Sequence, residues 1–287
     1  MASRHPFLTV DVFTEKPLRG NPVAVVLDAD DVDDTTMQRV AAWTNLSETT
    51  FVCRPTAAGA DYRVRIFTPR SELAFAGHPT IGTAHAVLET HPGAAQLTQE
   101  CGAGLLPVRI ERTSGMPRLF VRTPPARVIA GYAVTPAAIA RATGAAIVDD
   151  PLPLVVDIGP RWLVARVEGE DALRGARPDA AAVAALTREL GPASGVTLFA
   201  GSPTPTAVRS FAPLAGVAED PVCGSGNAAV AAYLAATGLL AATGRAWVAS
   251  QGREVGRDGT VAVRVGEDGA IEIGGSALTV VRGELLL

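Results

Sequence analysis

Several classes of function are excluded by what this chain has little of. Aromatic side chains make up 5% of its 287 residues, too few for a platform that stacks nucleic-acid bases. Basic residues do not predominate: 25 Lys and Arg stand against 29 Asp and Glu, for a net charge of −4. Neither nucleic acid nor an anionic membrane surface is therefore an expected partner. No apolar run approaches the roughly 18 residues of a membrane span. The opening MASRHPFLTV has no apolar signal core and turns acidic at Asp11, so no secretory signal is expected. The three cysteines, Cys53, Cys101 and Cys223, are odd in number and far apart. They fit neither a disulfide framework nor a paired-cysteine metal site, and a reduced, cytoplasmic protein is expected. An H-E-x-x-H helix is missing, as is any carboxylate–histidine cluster, so no metal is expected. There is no phosphate-binding G-x-x-x-x-G-K-[ST], and the Gly102–Gly104 turn runs into Leu-Leu-Pro, which spoils a dinucleotide fingerprint. No cofactor is expected.

What is present is an ordinary core-forming composition, 48% hydrophobic and 19% charged, enough for one large or two moderate domains. The chain also repeats itself. Residues 65–86 read RIFTPRSELAFAGHPTIGTAHA, and residues 209–232 read RSFAPLAGVAEDPVCGSGNAAVAA. Arg65, Phe67 and Pro69 match Arg209, Phe211 and Pro213. Gly77-His78 then matches Gly224-Ser225, with three extra residues in the second copy. TVDVF at 9–13 echoes VVDIG at 155–159, and NPVAVV at 21–26 echoes WLVARV at 162–167. Self-similarity of this length predicts two copies of one α/β domain.

Apolar alternation marks strands in those echoes, and again at 109–112 and 261–265. Helices are predicted over 35–45, with Thr35 or Asp34 as N-cap, and over 179–190, capped by Asp179. A first domain is expected over 1–124 and a second over 125–277, because the prolines in RTPPAR at 122–127 cannot continue a helix or central strand. The final stretch, 271–287, reads as two strands with a break at Gly-Gly-Ser. The last of these, about 278–287, is expected to return to the first domain.

The stretch 218–229, AEDPVCGSGNAA, offers two chemistries. Cys223 at a helix start has the setting for a lowered pKa and a nucleophilic or proton-abstracting thiolate. Alternatively, Asp220 and Ser225 act and the cysteine packs. Each repeat sets glycines before an Ala-rich helix, the first at Gly82 in TIGTAHAVL. Backbone N–H groups without internal partners at such a start make an anion site. His78 has a near-neutral intrinsic pKa, and Glu48 sits in an otherwise apolar or neutral stretch. Asp220 alone would be a turn aspartate and Ser225 alone a helix cap. Gly224-Ser225-Gly226 lacks the full G-x-S-x-G nucleophile elbow. His85 is expected to pack inside its domain, and His5 and His91 to lie on the surface.

Taken in order, VDVFT at 10–14, GNPVAVV at 20–26, LSETTF at 46–51, FTPRSELAFAGHPTIG at 67–82 and EDPVCGS at 219–225 resemble the PhzF-like family of phenazine biosynthesis. The resemblance runs from about residue 9 to the Gln251-Gly252 turn. It implies a diaminopimelate-epimerase-like fold: two similar α/β domains, each a β-barrel around a central helix, with the active site between them. It further implies a homodimer and a cofactor-independent isomerase that moves a proton and shifts a double bond in a small carboxylate. Phenazine precursors and alkylated proline units are the substrate classes it suggests.

By the same resemblance Glu48 is the catalytic acid/base, a carboxyl whose apolar surroundings raise its pKa. His78, Asp220 and Ser225 complete the catalytic set, and Ser47, Gly77, Cys223 and Gly224 line the substrate. Cys223 departs from the threonine usual in the phenazine enzymes. A cysteine there is what related two-cysteine racemases and epimerases carry, so racemisation through Cys223 stands as an alternative. Its counterpart in the first repeat is Ala76, and one thiol does not make a symmetric pair. A binding protein that kept the fold without catalysis is the third reading.

Overall fold

A computed structural model of the chain describes residues 3–112, 115–132 and 134–287. The chain separates into two compact units, Met1–Arg122 with Gly274–Leu287, and Thr123–Ile273.

In the first unit the strands are β1 (Arg4–Val12), β2 (Asn21–Val26), β3 (Thr49–Cys53), β4 (Tyr62–Phe67), β5 (Glu72–Leu73), β6 (Gln96–Cys101), β7 (Gly104–Glu111) and β8 (Arg118–Arg122). The second unit holds β9 (Arg127–Ile129), β10 (Leu154–Asp157), β11 (Arg161–Arg166), β12 (Ser194–Ala200), β13 (Ala207–Ala212), β14 (Val217–Asp220), β15 (Ala246–Gln251) and β16 (Gly259–Val265). A last strand, β17 (Ile271–Leu286), enters the first unit at Gly274. The pairing β17–β1–β2–β3–β4–β6–β7–β8–β17 closes an eight-stranded barrel. In the second unit the run is β9–β10–β11–β12–β13–β15–β16.

The order of pairing senses makes the duplication explicit. From β1 to β7 the joins are antiparallel, parallel, antiparallel, parallel, antiparallel. From β10 to β16 they follow the same series. The R-x-F-x-P repeat has a physical cause. Arg65 and Arg209 each lie over the ring two residues on, Phe67 and Phe211, at 5.1 Å from the centroid. Each also forks onto a carboxylate through two 2.8 Å bonds, Glu72 in one unit and Glu219 in the other. Planar guanidinium geometry suits both contacts at once.

One helix packs among the strands of each unit, α2 (Gly77–Leu88) inside the closed barrel of the first and α6 (Gly224–Ala236) in the second. Helix α2 touches β1, β2, β3, β4, β6, β7 and β8; α6 touches β9 to β13 and β16. A helix enclosed by strands has no polar face. From His78 to Leu88 every α2 residue but His85 is buried. Small residues let the walls approach: a Cβ on Gly82 would stand 2.4 Å from a Val23 methyl, and one on Gly226 2.3 Å from the Ser210 hydroxyl. The remaining helices pack outside. Met37, Val40 and Ala41 of α1 (Asp34–Thr44) join Val26, Phe51 and Phe67. Ile139 of α3 (Pro136–Thr143), Leu173 of α4 (Glu170–Gly175) and Val183 of α5 (Ala180–Thr187) join Val155, Leu163, Val196 and Leu198.

Four expectations are corrected. The N-cap of α1 is Asp33, whose Oδ1 accepts the Thr36 N–H at 2.9 Å; Asp34 instead bonds Arg65. Helix α2 starts at Gly77, so Gly82 is a packing residue within it and not its opening. His5 is buried at 2% exposure, its ring nitrogens meeting the Asp28 carbonyl and the Ser3 hydroxyl. Finally, 271–286 is one continuous strand. Its Gly274 admits β8 rather than breaking the chain: a Cβ there would lie 2.5 Å from the Leu119 carbonyl and 2.4 Å from the Phe120 ring. The Asp179 cap of α5 stands as expected, accepting the Ala182 N–H at 2.8 Å. Overpacking against backbone costs about 1–3 kcal/mol, so Gly274→Ala should lose that much stability in denaturant unfolding. An unchanged midpoint would contradict the close approach.

Candidate active site

The expected site residues fall into two groups, one in each unit. In the first, helix α1 ends at Asn45 in the left-handed conformation, which turns the chain sharply through Leu46 and Ser47. Glu48 precedes β3, and its carbonyl accepts the Ala24 N–H at 3.4 Å, extending the parallel β2–β3 ladder. Thr44 and Thr49 close the turn with a 2.8 Å hydroxyl contact. The backbone of Glu48 is thus fixed by the barrel wall. His78 is the second residue of α2, after Gly77 and the N-cap Ala76.

These placements bring together two side chains 30 residues apart. Glu48 Oε2 and His78 Nε2 stand 3.4 Å from each other, on side chains 16% and 9% exposed. Both atoms are buried, and the separation is longer than a well-formed charge-assisted bond. Burial pushes the Glu48 carboxyl up from 4.5 to about 7, against a smaller downward pull from the Ser47 hydroxyl. A dry carboxyl of this kind holds or releases a proton near neutrality.

In the second unit Asp220 ends β14, and its Oδ1 accepts the Val222 N–H at 3.0 Å, tightening the turn that leads to α6. Cys223 is the N-cap of α6, the position Ala76 holds on α2. Its sulfur accepts the Gly226 N–H at 3.3 Å and lies 3.5 Å from the Ser225 hydroxyl. The expectation of a lowered thiol pKa is corrected. Burial first, then the Asp220 charge, push it well above its ordinary value of 9.0. Loss of solvation outweighs the helix start. Gly224 and Ser225 open α6 as Gly77 and His78 open α2. Of the first N–H groups of α6, those of Gly226 and Asn227 are taken by Cys223. Those of Gly224 and Ser225 have no acceptor among the described residues.

One residue of this group was not legible from the sequence. Trp162, in β11, donates its indole N–H to the Ser225 hydroxyl at 3.1 Å. An indole only donates, so Ser225 is the acceptor there and its own proton points elsewhere. The single available signal was a tryptophan in a core strand, whose N–H needs a partner when buried. Outside both groups, His85 is half-buried against Thr279, with its pKa lowered by burial, and His91 is exposed.

Comparison with known proteins gives this arrangement its context. The model of the PhzC-PhzF family, described as phenazine biosynthesis-like protein, matches residues 10–283. A trans-2,3-dihydro-3-hydroxyanthranilate isomerase of Pseudomonas chlororaphis is 34% identical over 99% of this chain and all of its own length. The antisense-enhancing sequence 1 protein of Schizosaccharomyces pombe is 36% identical over 98% of this chain and 99% of its own. Among solved structures, a PhzF-family phenazine biosynthesis protein of Bacillus anthracis superposes with a TM-score of 0.85 at 27% identity, covering 99% of this chain and 100% of that one. A hydroxyproline epimerase from Agrobacterium vitis shares the fold at 16% identity and a TM-score of 0.63, over 100% of this chain and 92% of its own.

The raised Glu48 pKa has a consequence for stability. Between pH 4.5 and about 7 the unfolded chain ionises Glu48 while the native state keeps it protonated. Stability therefore falls as pH rises through that window, by about 3 kcal/mol at most. Glu48→Gln should match the wild type at pH 4 and exceed its denaturant stability by about that amount at pH 8. A pH-independent difference would contradict the assignment.

Proposed function

The chain belongs to the PhzC-PhzF family, and on that premise we propose that it is a cofactor-independent isomerase that moves a proton and shifts a double bond in a small cyclic or unsaturated amino or carboxylic acid. We place it in secondary metabolism, in a pathway of the phenazine or alkylproline kind. The observation that carries the reading is the buried Glu48 carboxyl, raised to about 7 and facing His78 at 3.4 Å.

In this reading the Glu48 carboxylate takes a proton from an sp³ carbon beside a double bond. The C–H electron pair becomes the new double bond, the old one moves along, and the carbon at its far end takes the proton back from Glu48. Atoms and charge balance with no oxidant or co-reactant. A pKa near 7 leaves both forms of the group populated at neutral pH, the condition for an efficient acid/base. His78 donates to the carboxyl or to the substrate. The Ser47 hydroxyl, which pulls the Glu48 pKa down against burial, keeps the ionised form accessible.

Taken by itself, the start of α6 is suited to a carboxylate. The Gly224 and Ser225 N–H groups lack protein acceptors among the described residues. The Ser225 hydroxyl, its lone pair engaged by Trp162, has a proton to give. These donors and the positive end of the helix suit an anion. Asp220 orients an amino or hydroxyl group, and Gly77 starts α2 beneath His78. Cys223 forms a small apolar wall. Its thiol is held protonated by burial and by Asp220, and Ala76 occupies the equivalent cap. Both observations argue against a two-thiol racemase.

The test is proton exchange. In deuterated water with trans-2,3-dihydro-3-hydroxyanthranilate, the compound named for the relative from Pseudomonas chlororaphis, the wild type should incorporate deuterium. Glu48→Gln should lose about 10²–10⁴-fold in that rate, whereas Cys223→Ala should stay within about tenfold. If the wild type leaves this compound unlabelled, the same exchange is read across cyclic amino acids. Undiminished exchange in Glu48→Gln sinks the role, and loss confined to Cys223→Ala transfers it to the thiol.

A further inference from the structure

Two turns of the second unit meet on one buried side chain. Gln251, the last residue of β15, is 0% exposed. Its amide nitrogen donates to the Asp220 carbonyl at 2.9 Å. Its amide oxygen accepts the Cys223 N–H at 3.1 Å and the Asn227 amide at 3.0 Å. Asn227 in turn bonds the Cys223 carbonyl at 2.9 Å. One side chain therefore spans the last residue of β14, the cap of α6 and the first turn of that helix. Gly252 completes the brace. It has φ +97°, and a Cβ there would stand 2.3 Å from the Pro221 carbonyl. No other residue lets the strand end press so closely on the Asp220-Pro221 turn.

We propose that Gln251 is a positioning residue for the reaction, holding Asp220 and the Gly224-Ser225 helix start in one fixed geometry through its three amide bonds. The inference rests on the proposed roles of Asp220 and Ser225. Only an amide meets this requirement in place. It must donate to one group and accept from two others, and it must do so without a charge, since the site is dry and already holds the Asp220 carboxylate. A carboxylate would repel the Asp220 carbonyl, and an apolar side chain would strip the buried Cys223 N–H of its acceptor and take one bond each from the Asp220 carbonyl and the Asn227 amide.

The first unit provides a comparison. Gln99, on β6, is equally buried and bonds Thr80, the fourth residue of α2, as Gln251 bonds Asn227, the fourth residue of α6. Its amide oxygen is spent on the Tyr62 hydroxyl. A buried glutamine braced against the central helix is thus common to both copies. The extension to the turn before the helix belongs to Gln251, and it coincides with the one copy that carries the aspartate.

The experiment uses the full chain and two readouts, deuterium exchange into trans-2,3-dihydro-3-hydroxyanthranilate and alkylation of Cys223 followed by peptide mass. Gln251→Met should lower exchange about 10- to 100-fold, the cost of a misplaced group. In an Asp220→Asn background the same change should cost less than about threefold, because both act through one unit. It should also speed Cys223 alkylation in the native protein by about tenfold or more as the cap loosens. Gln251→Glu keeps both accepted bonds and loses the donated one; if Gln251→Met fails to fold, the same comparisons are read on it. A full exchange rate with unchanged Cys223 alkylation overturns the proposal. So does a cost in the Asp220→Asn background equal to that in the wild type, the mark of a merely structural role. Full activity of Asp220→Asn itself would instead overturn the roles assigned to the site, while the alkylation rate would still report whether Gln251 holds the cap. If the compound is not turned over at all, that rate alone decides.

Discussion

A helix threaded through a closed barrel can meet polar chemistry only at its ends. Its sides lie against strands, so its residues must be small or apolar, and its first N–H groups are the only backbone donors left without partners. Helix α2 lies within a closed barrel and α6 is packed among the strands of its own unit, and the candidate chemistry gathers at their first residues. The wall then supplies what the helix cannot. Glu48 comes from the residue just before β3 and Asp220 from the end of β14, each tied by backbone pairing to a neighbouring strand rather than carried on a free loop. Rigid elements that present a few side chains at a helix start hold reacting groups closely enough for acid/base work.

Duplication supplied the frame twice, and the two copies then diverged at matched positions. His78 stands where Ser225 stands, Ala76 where Cys223 stands, and Thr80 where Asn227 stands. The framework contacts did not diverge: each arginine still covers its phenylalanine at 5.1 Å and forks onto its glutamate. The copies therefore differ at the proposed site residues and agree where the framework needs fixed geometry. That pattern argues against a symmetric two-base exchange, since Ala76 stands where Cys223 stands.

The duplication was legible because its signature residues do structural work that any sequence carrying the contacts must show. The start of α2 was not, since a helix buried on all sides has no amphipathic period to mark where it begins. The Gly-Gly-Ser of β17 read as a break because glycine usually punctuates a strand; here close passage of Phe120 demands it. His5 read as a surface residue because nothing local announces the carbonyl and hydroxyl that satisfy it in the interior. Glu48 was identified by family resemblance, but its proximity to His78 depends on where β3 and α2 lie in the barrel. The bracing by Trp162 and Gln251 is likewise tertiary, each bridging segments far apart in the chain.

The proposed chemistry depends on Glu48 being a carboxyl that burial keeps protonated into the neutral range. Glutamate labelled with carbon-13 at the carboxyl, with the Glu48 signal assigned by its absence from Glu48→Gln, gives that property directly in an NMR titration of the native protein. A midpoint near the value of about 7 that burial sets is expected. A midpoint near 4.5, the ordinary value, would contradict it.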